Sequence, residues 1–382
     1  MKKSKIQKLF LFEDDANRDF LTQDYFTSHL ITYLGNKRKL LPFLNQAVLE
    51  VKKKLAKDEI TSLDGFSGSG SVSRLLKYHS ENLLVNDLEG YAFTINSAYL
   101  ENKSSVDIKK LSNAIEYLNK NKLEKTKSEY FITNNYAPKN DNNIQEGERV
   151  FYTHKNALII DNVRFLIDKL DKDLQKYCLA NLLIKSSIHT NTSGVFKGFH
   201  KKDGIGHFGG KGENALTRIK GEIELEIPIF SEVECDYTIY QEDINKLVLE
   251  LPEVDLAYYD PPYNQHPYGS NYFMLNIINS GKPTEIQDGV SGISKEWNKS
   301  KYNKRQEAEI FMNNLLENTK AKYILISYNN EGIIPIDTFK KMLEKHGDYI
   351  LYEQDYNTYR GSRNLRERTI KVKELLWLLK KN

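Results

Sequence analysis

The stretch that most restricts what this chain can fold into runs from Leu63 to Asp87. An apolar strand ending at Leu63 enters the glycine-rich turn Asp64-Gly65-Phe66-Ser67-Gly68-Ser69-Gly70. A helix carrying Val72, Leu75 and Leu76 follows, and a second apolar strand, Leu83-Leu84-Val85, stops at Asn86-Asp87. Strand, helix and strand in this order begin an open parallel sheet, in which ligands collect at the carboxyl ends of the strands. Taken alone, the turn serves a nucleotide-like cofactor or a plain structural bend, and Ser73 stands where a dinucleotide fingerprint wants its third glycine. Asp87 is placed to accept both hydroxyls of a ribose, or else to cap a helix. Turn and acid together place an adenosine-bearing cofactor.

The remaining pattern extends this sheet. A helix near Lys37 carries Leu40, Leu41, Leu44, Val48 and Val51 on one stripe. Strands are expected at Tyr237 to Tyr240 before Asp243, at Val254 to Tyr259 before Asp260, and at Tyr323 to Ser327. Tyr349 to Tyr359 and Ile370 to Leu379 read as a terminal β-hairpin. Asn264 to about Arg305 reads as a polar loop with some helix. Between residues 101 and 235 the composition shifts to lysine- and asparagine-rich helices, a glycine-rich stretch from Gly194 to Gly212, and Ile223 to Phe230. The expected organisation is an N-terminal extension over 1–30, catalytic parts over 31–100 and 236–382, and an inserted, mainly helical domain over 101–235.

Composition narrows the classes. With 382 residues, 40% of them hydrophobic and 28% charged, the chain can bury a large core and belongs with soluble globular proteins. Apolar runs such as Leu375 to Leu379 fall far short of the ~20 residues of a membrane span, and Leu9 to Phe12 is too brief for a secretory leader. A cytoplasmic protein is expected. Cys178 and Cys235 fit no disulfide framework and no paired metal motif, and His200 and His207 lack the partners of a zinc site. The net charge of +3, from 55 basic and 52 acidic residues, decides little.

The most specific signal is Asp260-Pro261-Pro262-Tyr263, directly after the apolar run. An amine on an aromatic base is a poor nucleophile because its lone pair is delocalised into the ring. A carboxylate at Asp260 and the backbone carbonyl of Pro261 can each accept one amine hydrogen, which favours a tetrahedral nitrogen and offsets its developing charge. Two prolines fix those acceptors, and Tyr263 offers a ring face to an extruded base. Standing alone, the tetrapeptide would also serve as a rigid turn. Asp243 suits the amino group of a cofactor adenine, or a helix cap.

Tyr33-Leu34-Gly35-Asn36-Lys37 matches the Tyr-x-Gly-x-Lys signature of Dam-like adenine methyltransferases, and the chain resembles that α-group family from Tyr33 onward. The glycine turn, Asn86-Asp87, Glu242-Asp243-Ile244 and Asp260 to Tyr263 follow in the family's order. The resemblance implies a Rossmann-like, S-adenosylmethionine-dependent fold with a mixed sheet and a C-terminal β-hairpin. It implies that Tyr33, Gly35, Lys37, Asp64, Phe66, Gly68, Gly70, Asp87, Asp243, Ile244 and Asp260 form the cofactor site. Asp260 would also serve the target amine, and residues 101–235 would hold the target-recognition domain. Tyr356 to Arg363 looks most like the methyltransferase partners of restriction endonucleases, so double-stranded DNA and a separately encoded endonuclease are the expected partners.

Holding DNA asks for basic groups near the pocket. Arg360, Arg363 and Arg366 crowd the turn of the expected hairpin, and Lys197, Lys201, Lys202 and Lys211 stand among glycines; phosphate contact and solvated loops are both open readings. Gln265, His266, Tyr268, Asn271 and Tyr272 are candidates for lining the cavity; Tyr272, Phe273 and Leu275 serve equally as core residues of a short helix, and Phe273 reads as core. Cysteine-based methylation of cytosine carbon is excluded, because neither cysteine follows a proline. Methylation of cytosine's exocyclic amine, and a non-catalytic DNA-binding module on a degenerate methyltransferase fold, remain as alternatives.

Overall fold

The computed structural model describes residues 5–6, 19–28, 30–124, 129–213, 215–357 and 371–382. Eight strands among them form one sheet: β1 (Lys5–Ile6), β2 (Ile60–Asp64), β3 (Ser80–Asn86), β4 (Asp236–Tyr240), β5 (Val254–Tyr259), β6 (Ala321–Asn329), β7 (Gly347–Asn357) and β8 (Lys371–Lys381). Their spatial order is β1-β7-β8-β6-β5-β2-β3-β4. The five strands from β6 to β4 run parallel, whereas β8 is antiparallel to both of its neighbours. The order reverses between β2 and β5, so a crevice opens beyond their carboxyl ends, where Asp64 and Asp260 stand.

Both faces of the central parallel strands are covered, and β5 is buried at all six positions, whereas the edge strand β4 has none buried. On one face, α1 (Leu41–Leu55) and α2 (Ser71–His79) pack Leu44, Val48, Leu75 and Leu76 against Val85, Leu256 and Leu325. On the other, α7 (Ile244–Glu250), α9 (Ala308–Asn318) and α10 (Ile336–His346) pack Val248, Leu315 and Phe339 against Ala257, Ile326 and Trp377.

A third core gathers α3 (Gly90–Tyr99), α4 (Ile108–Asn121), α5 (His154–Ile167), α6 (Lys172–Ile188) and α8 (Phe273–Ser280). The helical stretch after residue 101 therefore shares one apolar interior with Tyr91 and Ile95 upstream and with Phe273, Met274 and Leu275 downstream. The helix expected within the segment after Asn264 is therefore found at Phe273–Ser280, and it is more deeply packed than a surface loop would allow. Tyr272, Met274 and Leu275 are fully buried, and α8 is an internal strut. Residues 19–28 also join the body: Phe20 stacks on Tyr78 at 3.8 Å, and the Tyr25 hydroxyl donates to the Tyr99 carbonyl at 2.8 Å.

One charge lies inside β5. Asp255 is 2% exposed and accepts from the Lys57 and Lys322 ammonium groups at 2.6 and 2.8 Å and from the Thr61 amide at 3.0 Å. Burial pushes its carboxyl up, but these partners outweigh burial and hold it at about 2. A depressed carboxyl stabilises the fold above its ordinary range, and that contribution fades as pH falls toward the lowered value. Asp255→Asn is therefore expected to cost about 3 kcal/mol at pH 7 in urea unfolding, with the deficit shrinking below about pH 4. A deficit independent of pH would contradict this account.

Candidate active site

The turn after β2 is shaped by two glycines. Gly68 has φ +51°, and a Cβ there would lie 2.8 Å from the Tyr33 ring; Gly70 has φ +77°, and a Cβ there would lie 2.4 Å from Asn96 Oδ1. Only glycine accepts this backbone and this closeness together. Asn96 donates to the Ser67 hydroxyl at 3.1 Å and the Gly68 carbonyl at 3.3 Å, fixing the turn from α3. Ser73 gives its hydroxyl to Asp64 Oδ2 at 2.6 Å, so that position serves the acid and not a dinucleotide. Asp64 Oδ1 is buried without a hydrogen-bond partner.

Asp87 accepts the Gly68 amide at 2.7 Å on one oxygen and the Glu89 amide at 2.9 Å on the other. Asp243 caps α7 through the Asn245 amide at 2.9 Å, which realises the capping alternative while leaving the residue at the pocket wall. Tyr33, Tyr268 and Tyr272 form a cluster of near-parallel rings, with Tyr33 4.9 and 5.0 Å from the other two and those 6.0 Å from each other. The Tyr268 and Tyr272 hydroxyls clamp Leu34: Tyr268 donates to its carbonyl at 2.9 Å, and Tyr272 accepts its amide at 2.8 Å.

At the end of β5, Lys37 lies between two acids. Its ammonium is 3.3 Å from Asp260 Oδ1 and 2.7 Å from Glu374 Oε1, with the Tyr263 ring 5.5 Å away. Burial alone pulls the Lys37 pKa down, but Asp260 and Glu374 reverse this and raise it well above the ordinary value. Burial pushes Asp260 up to about 7, with Lys37 opposing and Glu374 reinforcing the shift. Burial likewise raises Asp64 and Glu89 to about 7 and Asp87 to about 6.

Tyr33, Gly35, Lys37, Asp64, Phe66, Gly68, Asp87, Asp243, Ile244 and Asp260 all line a single cavity. Gly70 shapes the turn from behind. Pro262 reaches the cavity, Pro261 is buried next to it, and Tyr263 stands beside it with its hydroxyl over Gly35. Lys197, Lys201, Lys202 and Lys211 lie away from this lining. Lys211 faces Asp203 at 3.4 Å, and Lys201 lies over the Phe199 ring. Their loop is anchored, with Phe196 buried and its amide donating to Asn271 at 2.8 Å. Arg360, Arg363 and Arg366 lie outside the described residues.

Sequence reasoning missed Glu374, which directly precedes the apolar run Leu375-Leu376-Trp377-Leu378 and follows Lys373, so that it reads as part of a charged strand end. It also missed residues 298–303, which cross the cavity. Asn298 donates to the Leu88 carbonyl at 2.9 Å, the Tyr302 hydroxyl to Asn245 Oδ1 at 2.8 Å, and Asn303 to the Asn264 carbonyl at 2.7 Å. Tyr302 meets Phe66 edge-on at 5.2 Å, giving the cavity an apolar end with Ile244 and Phe311. Polar residues at irregular spacing gave no hint of this.

A glycine turn and an Asp-Pro-Pro-Tyr end meeting at the switch point of a largely parallel sheet, with an antiparallel strand inserted toward its edge, make this a Rossmann-like methyltransferase fold. Residues 33–342 match the model of the D12 class N6 adenine-specific DNA methyltransferases, and the chain belongs to that family. It is 27% identical over 340 residues to the Type II methyltransferase M.NlaIII of Neisseria lactamica, covering 87% of this chain and 93% of that one. It is 29% identical over 323 residues to the Type II methyltransferase M.CviAII of Paramecium bursaria Chlorella virus 1, covering 83% and 89%. Against the Type II methyltransferase M.FokI of Planomicrobium okeanokoites identity is 28% over 344 residues, covering 86% of this chain and 50% of that protein. No helix among the described residues is long and apolar enough to cross a membrane.

Removing the shared ammonium tests the site's electrostatics. Lys37→Met is expected to cost about 3–5 kcal/mol at pH 8 and distinctly less at pH 5.5, where the abandoned carboxyls, their pKa values raised further, take up a proton. Guanidinium unfolding at both pH values measures it, and an equal loss at each would refute the arrangement.

Proposed function

We propose that this protein transfers a methyl group from S-adenosylmethionine to the exocyclic amine of an adenine flipped out of a specific site in double-stranded DNA. The modification protects that DNA from a separately encoded restriction endonuclease. The observation that carries the reading is the position of Asp260: a half-buried carboxylate directly after β5, sharing one cavity with the glycine turn.

The cavity's chemistry fits the methyl donor. Its wall carries Asp64, Asp87, Glu89, Glu242, Asp243 and Asp260 against only Lys37 and Lys301. Such a wall repels a pyrophosphate and favours a ligand bearing a sulfonium and an ammonium. Asp64 Oδ1, buried without a hydrogen-bond partner, awaits a donor. In this reading Tyr33, Gly35, Lys37, Gly68 and Asp64 hold the methionyl part, with Gly70 setting the turn's shape. Asp87 holds the ribose, and Phe66, Asp243 and Ile244 hold the adenine. Bound S-adenosylmethionine supplies an activated methyl.

The chain's own residues prepare the acceptor. Asp260 and the carbonyl of Pro261 take the two hydrogens of the target amine, drawing its lone pair out of the ring. Tyr263 stacks on the extruded base, repaying part of the few kcal/mol that extrusion costs. Lys197, Lys201, Lys202, Lys211, Arg360, Arg363 and Arg366 contact phosphates, and the helical stretch 101–235 reads the sequence.

The direct experiment incubates the protein with unmethylated DNA and S-adenosylmethionine, followed by nucleoside mass spectrometry and modification-aware sequencing. N6-methyladenine confined to one short sequence is expected; methylcytosine, or no modified base, overturns the reading. Asp260→Ala is expected to lower the single-turnover rate by about a thousandfold or more while the protein stays folded by circular dichroism; retained activity would remove Asp260 from its role. DNA affinity should fall steeply between 50 and 200 mM salt through counterion release, by about a decade or more for a few phosphate contacts. A flat dependence would eliminate the basic clusters as phosphate ligands.

A further inference from the structure

Glu374 belongs to no signature, yet it reaches the centre of the site from β8. It is 5% exposed, and its Oε1 accepts both the Lys37 ammonium at 2.7 Å and the Ser327 hydroxyl at 2.6 Å. Asp260 fares differently. Its Oδ1 lies at the longer distance of 3.3 Å from the same ammonium. The ammonium makes its close bond to Glu374 and a longer, weaker contact to Asp260.

We propose that Glu374 is a positioning residue that turns the Lys37 ammonium away from Asp260, so that Asp260 keeps its acceptor lone pairs for the target amine while the nearby ammonium still favours its ionised form. The inference rests on the reading of Asp260 as the amine acceptor. The two arrangements lacking one member show why three are needed. With Lys37 and Asp260 alone, the ammonium would close to a charge-assisted bond of about 2.7–2.9 Å, and an acceptor so occupied pulls weakly on a neutral amine. With Asp260 and Glu374 alone, two buried like charges would force a proton onto one of them. Ser327 keeps Glu374 in the position that steers the lysine.

Glu374 raises the pKa of Asp260, and Lys37 lowers it. The other titratable groups facing Asp260 are Asp64 from β2, Tyr258 within β5 and Tyr268 from the turn that follows; Tyr263 faces Lys37. All of these stay in place when Glu374 is replaced. Glu374→Gln removes one negative charge and weakens the bond that holds the ammonium away from Asp260. Both changes lower the Asp260 pKa, so the acid limb of the rate profile moves to lower pH while the plateau rate falls.

Two readouts test this. Carboxyl-carbon NMR of the ligand-free protein, assigned through Asp260→Asn, follows the Asp260 titration without any activity. Single-turnover methyl transfer to DNA across pH follows the rate. Glu374→Gln is expected to lower the Asp260 titration by about half a pH unit or more and the plateau rate about tenfold, with Glu374→Asp recovering part of both. An unmoved titration overturns the coupling. A moved titration with a rate within about twofold of the parent's overturns the positioning role. Should the Gln variant fail to fold, Ser327→Ala is read by the same criteria, with changes in the same direction of about threefold in rate. A parent protein that transfers no methyl to DNA overturns the functional reading instead, and the NMR titration still judges the coupling.

Discussion

The ammonium of Lys37 lies in the interior of the protein, 5% exposed, and a charge in that position is tolerable only with partners. Its partners come from the end of β5 and from β8, the latter 337 residues away along the chain. Three distant segments must therefore meet before any of them is stable. This requirement explains the mixed sheet. An antiparallel β8 inserted between β6 and β7 brings Glu374 opposite Asn329, with its carboxylate reaching Ser327 and the Lys37 ammonium. A purely parallel continuation of the sheet would run a last strand in the other direction, with its sequence reversed relative to the crevice.

A second set of contacts ties this centre to the helical part. Tyr33 is gripped by Tyr268 and Tyr272, and Tyr272 begins α8, whose apolar residues share a core with α5 and α6. The glycine-rich loop with its lysines joins the same chain of contacts through Phe196 and Asn271. The wall of the cavity and the stretch expected to read DNA are thus linked by tightly packed side chains, where displacements transmit instead of dissipating. That continuity is why a boundary at residue 100 or 235 divides the sequence pattern more cleanly than it divides the core.

What the sequence disclosed and what it hid follow the same physics. Strands β2, β3, β5 and β6 were legible because strands covered on both faces are continuous apolar runs, and the signatures were legible because each sits where such a run ends. Ten candidate residues accordingly line one cavity. The structure around α8 was not legible, because an apolar run of four residues within a long polar stretch has no resolvable period. The short helix Asp24–Thr27 is likewise below any periodic signal. Glu374 was hidden for another reason. A charge inside a strand pattern looks like a surface position until its register against Ser327 and its distance to Lys37 are known.

Charge sets the final constraint, because the site must meet two opposite demands. DNA is a polyanion and is drawn to basic surface, whereas the cavity wall is acidic. Burial reconciles them. Asp64, Asp87, Glu89 and Asp260 sit where desolvation lifts their pKa values to about 6 or 7, so near neutral pH the empty cavity carries less negative charge than its residue count implies. A cationic ligand entering the cavity favours the ionised carboxylates and expels the protons they hold.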